Sequence, residues 1–221
     1  MNRKIIFTPE NYYHIFDRGT EKRDIFLNES NYQRFLILLY LCNGNNPVVV
    51  KQYLYQISQG RTLEQIDRGK IMVDIGAYCL MPNHFHLLIK EKTENGIPNF
   101  MKKLNTGYAM YFNKKNERSG SLFQGKFGAQ LLDKDGYLKY IFAYIHLNPI
   151  KLIEPKWKES GIKDFNTTKD FLNNYPWSSY LYFIGNKKND PILNISEFPE
   201  YFKNTKEFNN FIGDWLKYRV E

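Results

Sequence analysis

Two histidines, His84 and His86, flank Phe85 inside the apolar run "LMPNHFHLLI", residues 80–89, in a chain that holds only four histidines. On a β-strand, residues two apart point to the same face, so the two imidazoles project together from Cα atoms roughly 6.5–7 Å apart. At that separation they can converge on one metal ion, each at about 2.0–2.2 Å. The plainer reading is a pair of half-exposed strand histidines with no ligand. Further along, "GYLKYIFAYIHLNP" carries Tyr137, Tyr140, Tyr144 and Asn148. Spaced by three, four and four residues, these form one stripe on a helix. An amide oxygen one turn from a phenol could complete a metal site while the hydroxyl faces a metal-bound group. Tyrosines at this spacing also serve as packing residues with their hydroxyls at the water line. Asn148, standing before Pro149, equally reads as a helix-terminating residue. Spacing does not single out one tyrosine.

The elements that must hold these side chains can be followed along the chain. "NYYHIFDR", residues 11–18, is apolar, β-prone and closed by Gly19. Ser30 to Cys42 reads as a helix, with Ser30 as its N-cap and Phe35, Leu38, Leu39 and Cys42 as its apolar stripe. Residues 43–70 fit neither period and read as an insertion containing a short helical excursion. Residues 72–81 and 84–91 are strands joined through Pro82 and Asn83, which is hairpin chemistry. "IPNFMKKLNTGYAMYFNKKN" is an amphipathic helix with Phe100, Met101, Leu104, Tyr108 and Phe112 along one face. Residues 126–132 form a last strand, and Asp133 is placed to cap a helix that Pro149 ends. Leu138, Ile141, Phe142 and Ile145 give that helix a separate apolar stripe. The order β-α-β-β-α-β, then a helix, predicts an α+β fold of the ferredoxin-like, split βαβ type. Its antiparallel sheet carries helices on one face, and the tyrosine-bearing helix and a C-terminal helical extension are added to it. Residues 1–154 read as the main domain, including the 43–70 insertion, and 155–221 as an extension packed on its core.

Composition narrows the partners. The 221 residues carry a net charge of +8 with 17% aromatic residues, a balance suited to a polyanion. Lys102, Lys103, Lys114, Lys115, Arg118 and Lys126 face a single acid, Glu117, between residues 97 and 130. Tyr108, Tyr111, Phe112, Phe123 and Phe127 are interleaved with them. Lysines among aromatics are the ingredients of a single-strand binding groove. A surface helix whose rings are core is the equal alternative. Mean hydropathy is −0.55, and no apolar run approaches the ~20 residues of a membrane span. The N-terminus lacks a secretory leader pattern. Cys42 and Cys79 are too few for a disulfide framework or a zinc knuckle. The expected setting is cytoplasmic, with nucleoid association when DNA is bound.

Taken together, "PNHFHLLI" on a hairpin, a basic amphipathic helix, "LFQGKF" and "YIHLNP" resemble the single-tyrosine HUH transposases, above all the REP-associated tyrosine transposases and their IS200-like relatives. "YHIFDRGTEKRDIF" and "PWSSYLYFIG" extend the likeness over roughly residues 11–185. The resemblance implies that His84 and His86 hold a divalent ion, with Asn148 as a third, polar ligand. It assigns the nucleophile to Tyr144 rather than Tyr137 or Tyr140. The implied chemistry is attack on a DNA phosphodiester, giving a 5′-phosphotyrosine link and a free 3′-hydroxyl that later reverses the step. Single-stranded DNA with hairpin-forming repeats is the implied partner, and Arg18 joins the six basic residues above as an expected DNA contact. Imidazole suits Mn²⁺ and Mg²⁺ prefers oxygen, so either ion is expected. Lys126 departs from the arginine many relatives carry, which changes a bidentate phosphate contact into a point charge. Monomers and helix-exchanging dimers both occur in that group. His146 is expected to be structural or phosphate-contacting rather than a ligand, and His14, facing either the sheet's active surface or solvent, is expected to be structural. The rival from another class is a non-catalytic nucleic-acid binder on the same fold. A zinc hydrolase would need more ligands than the chain offers.

Overall fold

Alternating apolar residues along "YYHIFDR" form β1 (Tyr12–Arg18) at the centre of the computed structural model, which describes residues 5–217. There follow α1 (Glu29–Cys42), α2 (Val50–Ser58), β2 (Val73–Met81), β3 (His84–Glu91), α3 (Gly96–Lys115), β4 (Gly128–Leu131) and α4 (Asp135–Leu147). Beyond α4 come α5 (Trp157–Ser160), α6 (Phe165–Asn173), α7 (Tyr180–Phe183) and α8 (Thr205–Lys217). The sheet order is β2-β3-β1-β4, with every neighbouring pair antiparallel. This is the ferredoxin-like α+β arrangement that the element order predicts.

The pleat divides the strand residues between two cores. Tyr13, Ile15, Tyr78, Leu80, Phe85, Leu87 and Ile89 point to the layer formed by α1 and α3. There the rings of Phe35 and Phe85 lie 4.8 Å apart. Ala77, Cys79, Met81 and Leu88 point the other way, against Leu138, Ile141, Phe142 and Ile145 of α4. All nine residues of β2 are buried as a result, because both faces of this strand are covered. Its outer edge is covered as well. Leu80 N–H donates to Trp177 O at 2.8 Å and Ser179 N–H to Tyr78 O at 3.0 Å, so the "WSS" segment closes an edge that would otherwise expose unpaired backbone groups. Trp157, Leu172, Tyr175, Tyr180, Phe208, Ile212 and Leu216 share the α4 core. Among the described residues no helix is long and apolar enough to cross a membrane.

Two local expectations are corrected. Helix α1 begins at Glu29 with Asn28 at the N-cap position, two residues before the expected cap, and Ser30 Oγ donates to Asn28 Oδ1 at 2.6 Å instead of capping the helix. Asp133 does not cap α4: the helix starts at Asp135 after Lys134, with no side-chain cap, and the Asp135 carboxylate accepts from Tyr201 Oη at 2.7 Å. As expected, the α-helix ends just before Pro149. The proline sits early in a 3₁₀ turn, Asn148–Leu152, where a missing N–H costs little. Asn148 therefore keeps helical angles (φ −57, ψ −38) and stays on the face of Tyr144. In the 43–70 insertion, α2 is the helical excursion. The loop after it is tied to α1 by a hydrogen bond from Tyr40 Oη to Ile66 O (3.3 Å) and by Arg68 stacked 3.8 Å over the Tyr40 ring.

Candidate active site

Strand parity places His84 and His86 on the α4 side of β3, opposite Phe85. In register, His86 faces Phe16 of β1 and Cys79 of β2, and His84 faces Arg18 and Met81. The two imidazole rings lie 4.9 Å apart and almost perpendicular, at 88°. Each is held through its Nδ1 atom. Asn83, from the hairpin turn, donates through Nδ2 to Lys22 O at 3.1 Å and thereby offers Oδ1 to His84 Nδ1 at 2.5 Å. His86 Nδ1 meets His14 Nε2 at 2.9 Å. With both Nδ1 atoms engaged, the Nε2 atoms are the ones left to take a ligand, the arrangement by which outer hydrogen bonds orient metal-binding histidines.

Helix α4 supplies the other half. The Tyr144 ring stands edge-on to His86, with centroids 5.3 Å apart, and to His14 at 5.8 Å. Tyr137, Tyr140 and Tyr144 stack in sequence at 6.1 Å spacings, so the predicted stripe exists. Only Tyr144 reaches the histidines. Asn148 is buried, and neither its Oδ1 nor its Nδ2 makes a hydrogen bond of ordinary geometry; the buried Nε2 of His86 is likewise unpartnered. Buried polar atoms are rarely left so.

Electrostatics keep the imidazoles neutral. Burial lowers His84 to about 4 and repulsion from Lys151 adds to this; the Asn148 side chain acts the other way, and Arg18 adds a smaller lowering. His86 falls well below the ordinary value, through burial first, then through His84, His14, Lys151 and Lys158. Burial also lowers His14 to about 4. Neutral imidazoles, an unpartnered Nε2 on His86 and an unsatisfied Asn148 amide oxygen are donors that fit a divalent cation. Among the described residues no three His, Cys, Asp or Glu side chains gather into a cluster, so such an ion would have two imidazoles and the Asn148 amide as its protein ligands.

Two clefts meet at Tyr144, His86 and Phe16. One, of about 570 Å³, is basic and includes Arg18, Lys22, Lys126, Gln124 and His84. The other is aromatic, lined by Tyr137, Tyr140, His14 and Gln130. Phe16 lies over Gly128, where a Cβ atom would run into its ring, so glycine is required for that ring to cover the cleft floor.

Of the predicted DNA contacts, the structure brings Arg18 and Lys126 to the site. Arg18 Nε donates to Gln124 Oε1 at 2.8 Å. The remaining five belong to α3 and the turn after it, across the sheet. Lys103 Nζ is held by the carbonyls of Gly44 and Asn46, Lys115 Nζ donates to Ser30 Oγ at 2.6 Å, and Arg118 donates to Asn113 Oδ1 at 2.7 Å. Lys102 and Lys114 are exposed. Tyr108, Phe112 and Phe123, interleaved with these cations, are core residues. His146 is structural, as expected: its Nδ1 donates to Phe142 O at 2.9 Å and its Nε2 accepts from Ser179 Oγ at 2.8 Å.

The sequence reading missed His14, Phe16, Lys22, Lys151 and Lys158. Parity along β1 carries a signal for two of them, because Tyr12, His14, Phe16 and Arg18 alternate onto one face. Pairing that face with His84 and His86 required the β1–β3 register. No sequence signal points to Lys151 or Lys158.

No curated protein matches the chain. Among solved structures, the REP-associated tyrosine transposase bound to a REP hairpin is similar at TM-score 0.46 and 11% identity, over 90% of this chain and 94% of that one. A putative transposase from Deinococcus radiodurans R1 is similar at 0.35 and 15%, over 66% and 95%. The tRNA(His) guanylyltransferase from Saccharomyces cerevisiae is similar at 0.35 and 12%, over 92% and 87%. These likenesses are too distant to carry an argument, and the fold assignment rests on the strand order itself. The family described as Transposase IS200 like matches residues 4–148, a span that ends on Asn148 and holds the whole histidine–tyrosine–asparagine cluster; the chain belongs to the IS200-like transposase family.

Proposed function

We propose that this transposase cleaves and rejoins single-stranded DNA, from hairpin-forming repeats, with Tyr144 as nucleophile and a divalent ion on His84, His86 and Asn148. One observation carries the reading: a half-buried phenol stands edge-on to His86, on a strand face shared with His84, while His86 Nε2 and the Asn148 amide are buried there without a hydrogen bond. A structural role would leave those polar atoms satisfied.

Tyrosine is a weak nucleophile at its ordinary pKa of about 10 and needs a polarised target. Bound Mg²⁺ or Mn²⁺ would supply Lewis-acid stabilisation of the charge that builds on the scissile phosphate. The protein's own groups do the rest. Asn83 and His14 hold the imidazoles in orientation, α4 aims the phenol oxygen, and Arg18, Lys22 and Lys126 receive the flanking phosphates. The Tyr144 O–P bond forms as the P–O3′ bond breaks. The phenol proton leaves to water and the departing 3′ oxygen gains one, so the step is balanced and reversible. Two neutral imidazoles and an amide add no negative charge, which leaves the ion's full charge for the phosphate.

The test mixes the protein with labelled, hairpin-bearing single-stranded DNA and Mn²⁺ and looks for a denaturation-resistant adduct. We expect an adduct with the native protein and none with Tyr144→Phe. DNA binding with no adduct, under conditions where Mn²⁺ is shown to bind, would instead mark a non-catalytic binder.

A further inference from the structure

Two lysines outside the family match stand beside the nucleophile. The 3₁₀ turn after α4 returns Lys151 toward the site, its Nζ lying 5.5 Å from the centre of the Tyr144 ring. The first turn of α5 brings Lys158 closer still, with Nζ at 4.2 Å. Among the described residues neither ammonium forms an ion pair. The carboxylate of Glu154 is committed elsewhere: it accepts from Lys163 N–H and from Thr168 Oγ1, both at 2.9 Å. Burial and repulsion from Lys151 lower Lys158 to about 8, offset only in part by Glu159, so the Lys158 ammonium is still charged at neutral pH. Half-buried like charges without a counter-ion oppose folding. A protein keeps such a pair where an anion arrives.

We infer that Lys151 and Lys158 form an anion clamp for the phosphoryl group on Tyr144, binding non-bridging oxygens of the scissile phosphate and then of the 5′-phosphotyrosine. The inference rests on the function proposed above and extends it, because it makes the C-terminal extension a supplier of the active site. The clamp takes no part in bond exchange. Its charges meet the negative charge that Tyr144 attack concentrates on phosphorus-bound oxygens: the histidines hold the cation, and the lysines hold the phosphate.

The test measures single-turnover adduct formation and Mn²⁺ affinity on the same full-length variants, the latter by electron paramagnetic resonance of free Mn²⁺ without DNA. In Lys151→Gln/Lys158→Gln we expect adduct formation to slow by about 10²-fold or more, the scale seen when donors to a developing oxyanion are lost. Affinity for the hairpin DNA should fall far less, with the salt slope reduced by about 1–2 for the lost phosphate contacts. Lys158→Arg should recover much of the rate. Mn²⁺ should bind the double variant at least as tightly as the native protein, because two repelling charges have gone; a collapsed site would lose metal and rate together. The clamp is overturned by a double-variant rate within twofold of native, by equal loss in Lys158→Arg and Lys158→Gln, or by Mn²⁺ binding that weakens along with the rate. Failure of the native protein to form any adduct removes the proposed function first, and the clamp with it.

Discussion

At the scale of single residues, His14 is the side chain whose importance the fold reveals. Its contact with His86 Nδ1 at 2.9 Å decides which nitrogen of His86 faces the cluster. For His86 to present a lone pair at Nε2, its Nδ1 must carry the proton and His14 Nε2 must accept it. Replacement by phenylalanine keeps the ring volume and removes that acceptor. His14→Phe should weaken Mn²⁺ binding about 10- to 100-fold, the usual cost of losing a partner that orients a ligand. His14→Gln, which retains an acceptor, should recover part of it. Calorimetric titration of Mn²⁺ into the DNA-free protein gives the answer, and an affinity unchanged in His14→Phe would remove the positioning role.

At the scale of elements, α4 is tied to the sheet through the extension. Phe142 O fixes the His146 tautomer by accepting from Nδ1, Nε2 then accepts from the Ser179 hydroxyl, and Ser179 Oγ accepts from Tyr78 N–H at 3.0 Å. This chain runs from α4 through the "WSS" segment to β2, all of it buried. Ser179→Ala leaves two buried partners unsatisfied and should cost about 2–4 kcal/mol. Urea unfolding reads this directly, and a loss below about 0.5 kcal/mol would show that the chain can be dispensed with. The same scale explains the α3 cations. Their helix packs its apolar stripe on the face of the sheet opposite the histidines, so charge and aromatics that are close in sequence are separated into solvent and core.

At the scale of the whole molecule, His14, His86 and His146 are buried, His84 is half-buried, and all four are held neutral. His14 and His84 are lowered to about 4, His146 to about 3, and His86 well below its ordinary value, with burial the leading cause each time. The unfolded chain takes up protons as the pH falls through the ordinary value near 6.5, whereas the folded chain does not until about 4 or below. Stability is therefore fully present above pH 6.5 and drains away between 6.5 and about 4. Each group contributes up to about 1.4 kcal/mol per pH unit. Metal-free protein should lose several kcal/mol between pH 7 and pH 5, and Mn²⁺ should restore part of it by binding only the folded state. Equal urea midpoints at the two pH values would contradict this.

The sequence by itself determined the strand and helix order, the shared face of His84 and His86, and the tyrosine stripe of one helix. Those features are local: period two along "HFHLLI", period 3.6 along "YLKYIFAYIHLN", and the Pro82–Asn83 turn between strands. It also carried the resemblance that chose Tyr144. Tertiary structure alone decided which basic residues join the site, because that depends on the face of the sheet and not on distance along the chain. It made His14 a partner of His86 through the β1–β3 register, kept Asn148 on the Tyr144 face by letting Pro149 enter a 3₁₀ turn, and returned Lys151 and Lys158 to the nucleophile. These are relations between faces and registers that no short stretch of sequence encodes.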